Sequence, residues 1–388
     1  QDARVAPGLG AFEGTAWDDT SWRNTNSASE YGVWHGGGSR YLRVIPDDGD
    51  CDWTGAGSGT CLEETTSSSS AIRAQYNTTR WMRPDLERNN LFVFLNSELE
   101  SGVEAYTEMG IYNSVATQQL YGGTTLGAGS CAKTGGCTQP LLVPLSNYWL
   151  NQLVDADGNK LVDSDQIQND LGLWKARNRF DTPRAYDSHR TTLRLLQGFR
   201  GTSGKWDWDL GFLYSTAKSK QNNTGRQSLT LLNEALALNT PEAYNPFCGP
   251  NCNDESPFTI DIIRDNTTSL YMMDYKASTP DLFELPAGSV GMLIGAEIRK
   301  ESYSDKRDDR INGKITYTVP VGPKAGETFP IISDVVNSSA TPNSNGTRVT
   351  YSLFSELAIP VTETIDAQLA ARYENSDDYG DATVGKIA

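Results

Sequence analysis

The sequence predicts an all-β fold made of long antiparallel hairpins. Three features support this: apolar and polar residues alternate with a period of two, the alternating runs are long, and short turns are interspersed with long polar connections. A period of two indicates a strand because successive side chains leave opposite faces of a sheet. Runs of about ten residues exceed the usual strand and match a tilted strand that crosses a hydrocarbon layer.

The first two predicted hairpins cover residues 90–111 and 191–215 and turn at 100–102 and 202–205. The return strand of the first hairpin collects apolar or small residues on one face, namely Val103, Ala105, Thr107, Met109 and Ile111. The return strand of the second places Trp206, Trp208, Leu210, Phe212 and Tyr214 opposite Asp207, Asp209 and Gly211. Each hairpin should therefore have one apolar and one polar face.

The third and fourth predicted hairpins cover residues 270–303 and 348–374 and turn at 286–289 and 360–363. The third has an apolar face made of Val290, Met292, Ile294, Ala296 and Ile298. The return strand of the fourth alternates Ile365, Ala367, Leu369, Ala371 and Tyr373 with Asp366, Gln368, Arg372 and Glu374. Residues 384–388 have the character of a further strand at its start.

Long connections rich in Gly, Asn and Ser cover residues 113–189, 218–268 and 305–347. We accordingly divide the chain into a loop-rich segment, 1–87, and four hairpins over 88–388. Short turns at one end and long loops at the other are typical of transmembrane β-barrels, and soluble domains seldom repeat loops longer than about fifteen residues.

The residues Trp206 and Trp208 follow a short turn on the apolar face. This is where an aromatic girdle would meet a membrane boundary. No apolar helix is predicted that could cover the apolar faces, so lipid could cover them instead. A soluble sandwich also alternates apolar and polar residues, with its polar face in water. The pattern alone leaves both architectures open.

The composition is acidic, with a formal net charge of −16 over 388 residues. This balance argues against nucleic acid as a partner, because phosphates require a basic surface. Mean hydropathy is −0.49. The sequence has no apolar run of the roughly eighteen residues that a transmembrane helix needs, whereas barrel strands are polar on average.

Six cysteines occur as three close pairs, each in loop-like sequence: Cys51 with Cys61, Cys131 with Cys137, and Cys248 with Cys252. Six cysteines allow many pairings, and we expect nearest neighbours to form disulfides that staple single loops. Disulfides persist in the periplasm and at the cell surface. A metal site is the alternative, but only two histidines are available. We expect no metal and no cofactor.

Aromatic residues in the predicted loops are the candidate ligand-binding residues, and these are Tyr31, Trp34, Trp81, Trp149 and Trp174. Flat aromatic rings can stack on sugars or on aromatic chelators. The alternative, which we favour, is that these rings pack the loops against one another, because loops of this length need cores of their own.

The sequence does not predict an enzyme. It has no Gly-x-Ser-x-Gly nucleophile elbow, and no feature singles out a catalytic pair among its many carboxylates. The acidic turn at 155–159 suggests calcium, but Lys160 stands where the EF-hand loop requires Gly, and Gln166 stands where it requires Glu. An acidic turn in a solvated loop is the preferred interpretation.

Four segments resemble the TonB-dependent receptors of Gram-negative outer membranes. Residues 281–303 resemble a mid-barrel hairpin with its FELPAG turn, and residues 351–381 resemble a later hairpin with LAARYE. Residues 198–214, with WDWD, resemble another hairpin, and Asn245-Pro246-Phe247 resembles an element of the outer loops. The resemblance covers the C-terminal half well and the first hairpin loosely, and residues 1–87 show none.

The resemblance implies a transmembrane antiparallel β-barrel of about 22 strands, of which this chain would supply about eight, with long extracellular loops. It also implies energy-coupled uptake of a scarce solute, such as an iron–siderophore, cobalamin or an oligosaccharide. The partners would be TonB, the solute and outer-membrane lipid, in the bacterial outer membrane. The plug domain that contacts TonB is not recognisable in this chain. Two alternatives are a plugless porin or adhesin and a secreted, disulfide-stapled β-rich binding module.

Overall fold

The structure is a computed structural model, and it describes residues 31–57, 59–67, 72, 80–124, 141–320 and 325–388. Strands dominate these residues. In chain order they are β1 Val33–His35, β2 Tyr41–Pro46, β3 Thr60–Thr65, β4 Asp85–Glu98, β5 Glu104–Leu120, β6 Leu142–Pro144, β7 Gly172–Arg177, β8 Arg184–Ser203, β9 Trp206–Gln227, β10 Thr259–Leu285, β11 Gly288–Arg307, β12 Ser344–Thr362, β13 Ile365–Ser376 and β14 Gly380–Ile387.

Helical structure is sparse. One α-helix, α1, spans Leu229–Ala237, and short 3₁₀ helices span Leu150–Gln152, Leu161–Asp163 and Ser256–Phe258. Over the described ranges, no helix combines the length and the apolar character needed to cross a membrane.

The large sheet has nine strands in the order β14-β13-β12-β11-β10-β9-β8-β5-β4, and every neighbouring pair is antiparallel. The four predicted hairpins are confirmed as β4–β5, β8–β9, β10–β11 and β12–β13, and the predicted further strand is β14. The mostly β, antiparallel fold is thus confirmed.

Three of the short turns lie where the sequence predicts them, and the fourth is displaced to residues 363–364 because β12 continues to Thr362. Glycine makes two of the turns possible. Gly102 and Gly204 have φ of +76° and +61°, a backbone conformation that costs glycine little and other residues more. The strands extend beyond the predicted limits at their other ends. β10, for example, has 27 residues because it continues past the predicted start at residue 270 into the preceding connection.

Register assigns the side chains to two faces of the large sheet, because directly paired residues point the same way. The apolar face includes Leu195, Phe212, Met273, Ile298, Leu353 and Tyr373. These six side chains are between 38% and 61% exposed, so the described residues leave this face uncovered. The polar face includes Tyr106, Arg200, Asp209, Asp274, Glu297 and Arg372.

The long connections fold into a second unit, which we call the cap and define as the described parts of residues 31–67, 141–180, 228–258 and 308–343. It contains a five-stranded antiparallel sheet in the order β3-β2-β1-β7-β6. Within residues 1–87, for which the sequence predicts a loop-rich segment, the described residues include the short strands β1, β2 and β3. These strands are three to six residues long, too short to show a clear alternation.

One hydrophobic core unites all parts of the cap. Trp34, Leu150, Phe247, Phe258 and Val336 come from four separate stretches of chain, and each is at most 1% exposed. The connections leave the large sheet after β5, β9 and β11 and return to it at β8, β10 and β12. The cap therefore lies at the end of the sheet opposite the short turns.

Helix α1 shows how the cap is assembled from local signals. The Ser228 side chain accepts a hydrogen bond from the Leu231 amide at 3.3 Å and caps the helix. Leu229, Leu232 and Leu236 recur at helical spacing and are fully buried. The polar start of the helix is thereby fixed while its apolar side enters the core.

A buried carboxylate ties α1 to the connection after β11. Asp334 is fully buried and accepts hydrogen bonds from the Ser228 hydroxyl at 2.6 Å, from the Thr230 amide at 2.8 Å and from Arg310. Its backbone oxygen also accepts from the Leu229 amide at 2.7 Å. Because two connections meet at one buried charge, Asp334 should be critical to the cap.

We predict that Asp334→Asn destabilises the cap by about 2–4 kcal/mol, because the change leaves Arg310 and the helix start without their anion. Asp309→Asn is the matched control in the same connection, since Asp309 pairs with the exposed Lys314 and exposed ion pairs contribute little to stability. Proteolysis of the cap across a urea series measures both variants. Equal midpoints would contradict the role assigned to Asp334.

Candidate functional site

The cap buries one of the five candidate ligand residues completely. Trp34 is 0% exposed, and its ring meets the Phe247 ring edge-on with centroids 5.8 Å apart. A side chain enclosed in this way cannot contact a ligand that arrives from solvent. The assignment of Trp34 as a ligand residue is corrected: it is a core residue of the cap.

Two further candidates also pack inside the cap. Trp149 is half-buried, and its indole N–H donates to the Ala243 carbonyl at 2.9 Å. Tyr31 is half-buried against the hydrophobic core and lies close to Gly249, where an added Cβ would come within 3.0 Å of its ring. These contacts agree with the packing alternative.

The remaining two candidate ligand residues, Trp81 and Trp174, are not among the side chains shown to pack inside the cap. Trp81 is 42% exposed, and its amide donates to the Gln119 carbonyl at 3.0 Å, near the capped end of β5. Trp174 belongs to β7, but its side chain lies outside the described residues. The structure therefore does not gather the five candidates into one site.

Two of the predicted disulfides are present, and both lie in the cap. Cys51 bonds to Cys61, and Cys248 bonds to Cys252, each with a Cα–Cα distance of 6.0 Å. Cys131 and Cys137 lie outside the described residues. Asp47 adjoins the first pair, with its carboxylate 3.5 Å from the Cys51 sulfur. Sulfurs joined in a disulfide are not thiolates, so this cluster lacks the ligands of a metal site.

The acidic turn of the cap satisfies its own carboxylate. Asp155 accepts hydrogen bonds from the amides of Asp157 and Asn159 at 3.0 and 2.8 Å and from the Asn159 side chain at 2.9 Å. The hydrogen bonds from Asn159 hold the pKa of Asp155 below its ordinary value. This geometry is that of an Asx-type turn.

The cap also buries a phenol. The Tyr317 hydroxyl accepts a hydrogen bond from the Asn233 side chain at 3.1 Å, which links the connection after β11 to α1. Burial raises the pKa of Tyr317 to about 12, so the ring stays neutral and helps to seal the core.

The polar face carries many paired charges between the short hairpin turns and the middle of the sheet. Arg200 binds Glu104 at 2.6 Å, and Arg372 binds Glu374 at 2.7 Å. The Tyr106 hydroxyl donates to Asp209 at 2.9 Å. Asp274 and Glu297 stand directly opposite each other, but Lys276 approaches the first to 3.3 Å and Arg299 the second to 3.4 Å. Their carboxylates are engaged in these ion pairs.

Trp206 and Trp208 begin β9 directly after a short turn and are half-buried. The Trp208 ring lies across Gly201, where an added Cβ would be 3.2 Å from it. Their position next to the short turns agrees with the predicted girdle, and the girdle role itself stays a prediction.

A concave site opens on the polar face, nearer the capped end of the sheet. It encloses about 670 Å³ between β9, β10, β11 and β12 and is lined among others by Ser215, Thr268, Glu301, Tyr303, Arg348 and Asp378. We call it the Tyr303 groove. Sequence reasoning missed it, because its residues come from several strands that only register brings together. The alternation that places Glu301 and Tyr303 on one face was the available signal.

No protein-family model matches the chain, and no curated protein matches it significantly. The features that bear on function are those of the fold itself. They are an uncovered apolar face, a polar face with paired charges, the Tyr303 groove, and a disulfide-bonded cap.

We predict that replacing Cys51 and Cys61 together by Ser lowers the stability of the cap by about 2–3 kcal/mol, because the closed loop of 10 residues regains its freedom when unfolded. The pair Cys248 and Cys252 spans 4 residues, so its double replacement should cost less, about 2 kcal/mol. Urea midpoints of cap proteolysis, measured with and without reductant, compare the stability losses of the two double replacements. A wild-type midpoint that reductant does not change would contradict the stabilising role of the disulfides.

Proposed function

We propose that this chain is part of the barrel wall of a TonB-dependent outer-membrane receptor that takes up a scarce solute. The observation that carries the proposal is the uncovered apolar face, which runs across nine long antiparallel strands. The partners in this proposal are outer-membrane lipid, TonB through a plug region, and a solute that enters on the capped side.

Exposure of the apolar face to water is unfavourable in free energy. Burial of one large apolar side chain is worth roughly 1.5–3 kcal/mol, and monomeric soluble proteins seldom expose apolar patches beyond a few hundred Å². Here Met273, Ile298 and Leu353 stand in neighbouring strands and are 42%, 38% and 61% exposed. Hydrocarbon would cover such a face along the full width of the sheet.

A soluble binding module should cover this face with a second sheet. The second sheet of this fold belongs to the cap instead, and its core draws on residues such as Trp34 and Leu173. The central apolar-face residues of β9 to β13 do not belong to that core. This arrangement favours the membrane barrel over the soluble module.

The edges of the large sheet support the view that more strands belong to it. Among the described residues, β4 pairs only with β5, and β14 pairs only with β13. Unpaired backbone groups do not persist in hydrocarbon, so both edges would be completed by further strands. A barrel of about 22 strands would supply them.

The two ends of the sheet differ as outer-membrane barrels require. The short turns of the four hairpins occupy one end, and the disulfide-bonded cap occupies the other together with the short turn between β13 and β14. Short periplasmic turns and long extracellular loops have this asymmetry, and an extracellular cap would keep its disulfides. In the proposal, the cap therefore faces the medium.

Fractionation of the source cells, followed by crosslinking to the periplasmic domain of TonB, tests the proposal. The expected result is an outer-membrane protein heavier than the 42.4 kDa chain that crosslinks to TonB. An outer-membrane protein without a TonB contact would favour a plugless porin or adhesin. A water-soluble species would overturn the membrane assignment.

We further predict that Leu353→Arg impairs outer-membrane insertion, by about 2–4 kcal/mol if the position lies at mid-membrane. In a soluble protein the same change at a 61% exposed side chain would be nearly neutral, within about 0.5 kcal/mol. Gln368→Arg is the matched control, on the polar face of the next strand beside Glu356. The amount of folded protein in the membrane, measured by heat modifiability, separates the two outcomes.

A further inference from the structure

The Tyr303 groove combines an aromatic ring with hydroxyl and carboxylate groups. Tyr303 is 50% exposed and stands in register between Thr268 of β10 and Gly346 of β12. Ser215 and Thr268 add hydroxyl groups on the neighbouring strands, and Glu301 adds a carboxylate two residues from the ring. A volume of about 670 Å³ is within the range of pockets that hold small molecules.

Gly346 makes the placement of the ring possible. A Cβ added at Gly346 would lie 2.7 Å from the Cε1 atom of Tyr303, closer than real contacts allow. The ring therefore occupies the space above the β12 backbone that a side chain at 346 would fill. A larger residue at 346 would push the ring away without removing it.

The charges of the groove disfavour an anionic ligand. Its one lining cation, Arg348, is held by Asp378 through Nε at 2.8–3.0 Å and through Nη2 at 2.7 Å. Glu301 adds a second carboxylate, which stands opposite Arg348 in register and lies 3.9 Å from the Nε atom of Arg299. Two carboxylates against one guanidinium leave the lining with a formal charge of −1, so an anionic metal chelate would be repelled.

We propose that the Tyr303 groove binds a neutral polyhydroxylated ligand of the oligosaccharide class. The ring would pack on the C–H face of a sugar, and the hydroxyls of Ser215 and Thr268 with the Glu301 carboxylate would bond to its hydroxyl groups. This inference rests on the proposed uptake function, because uptake is what would bring a solute to the polar face. It narrows the solute class that the fold leaves open.

Binding to the intact protein in detergent tests the inference by titration calorimetry. The probes are the neutral hexasaccharides maltohexaose, cellohexaose and xylohexaose, together with an anionic ferric tris-catechol complex. We expect at least one hexasaccharide to bind, and we expect Tyr303→Ala to weaken that binding at least tenfold. The catechol complex should not bind in the groove.

Two further variants separate the role of the ring from folding. Tyr271→Ala is the matched control, since Tyr271 is also a half-exposed tyrosine (54%) but points to the apolar face of the adjacent strand. It should leave hexasaccharide binding unchanged. Gly346→Val should weaken binding as Tyr303→Ala does, although it keeps the tyrosine.

The outcomes distinguish this inference from the proposed function. An outer-membrane, TonB-linked protein that binds no hexasaccharide, or that binds one equally well after Tyr303→Ala, overturns the inference and leaves the uptake function standing. A water-soluble protein whose hexasaccharide binding depends on Tyr303 overturns the uptake function and retains the groove. Tyr303-dependent binding of the catechol complex alone also overturns the inference.

Discussion

The hydrogen-bonded ladder of nine antiparallel strands is the constraint on which the rest of this structure depends. Register in the ladder decides which face receives each side chain, and a slip of one residue would exchange the faces. Because Met273 pairs with Phe212 and Ile298, the apolar residues form one continuous surface. The same register sets Tyr303 between Thr268 and Gly346 on the opposite surface. The apolar face and the Tyr303 groove are both consequences of the same strand register.

The cap follows from the ladder as well. Strands that end together release their connections at one end of the sheet, where the connections can pack against one another. Trp34, Leu150, Phe258 and Val336 therefore meet in one shared core. Asp334 ties two of the connections together, and each of the two disulfides closes a short loop within one stretch of the cap.

Sequence could predict the hairpins because their signals are local. Alternation and the turn glycines Gly102 and Gly204 act within about twenty residues of chain, and the four hairpins are as expected. The cap strands could not be found this way, since Val33–His35 is three residues long and pairs with β7 almost 140 residues later. The inward direction of Trp34 likewise depends on partners distant in sequence. The sequence shows that residue 34 is aromatic, but it does not show whether the side chain points into a core or toward solvent.

The polar face divides into two parts that differ in free hydrogen-bonding capacity. Between the short hairpin turns and the middle of the sheet, carboxylates such as Glu104 and Glu374 are bound by arginines at 2.6–2.7 Å. In the Tyr303 groove, Glu301 stands opposite Arg348 in register and lies 3.9 Å from Arg299, and the tyrosine ring is half exposed. A close ion pair must be broken before its carboxylate can bind a ligand, whereas a more loosely paired carboxylate beside an open ring loses mainly water. Ligand selectivity on this face should therefore arise in the groove nearest the cap, and the paired charges below it should mainly hold the strands together.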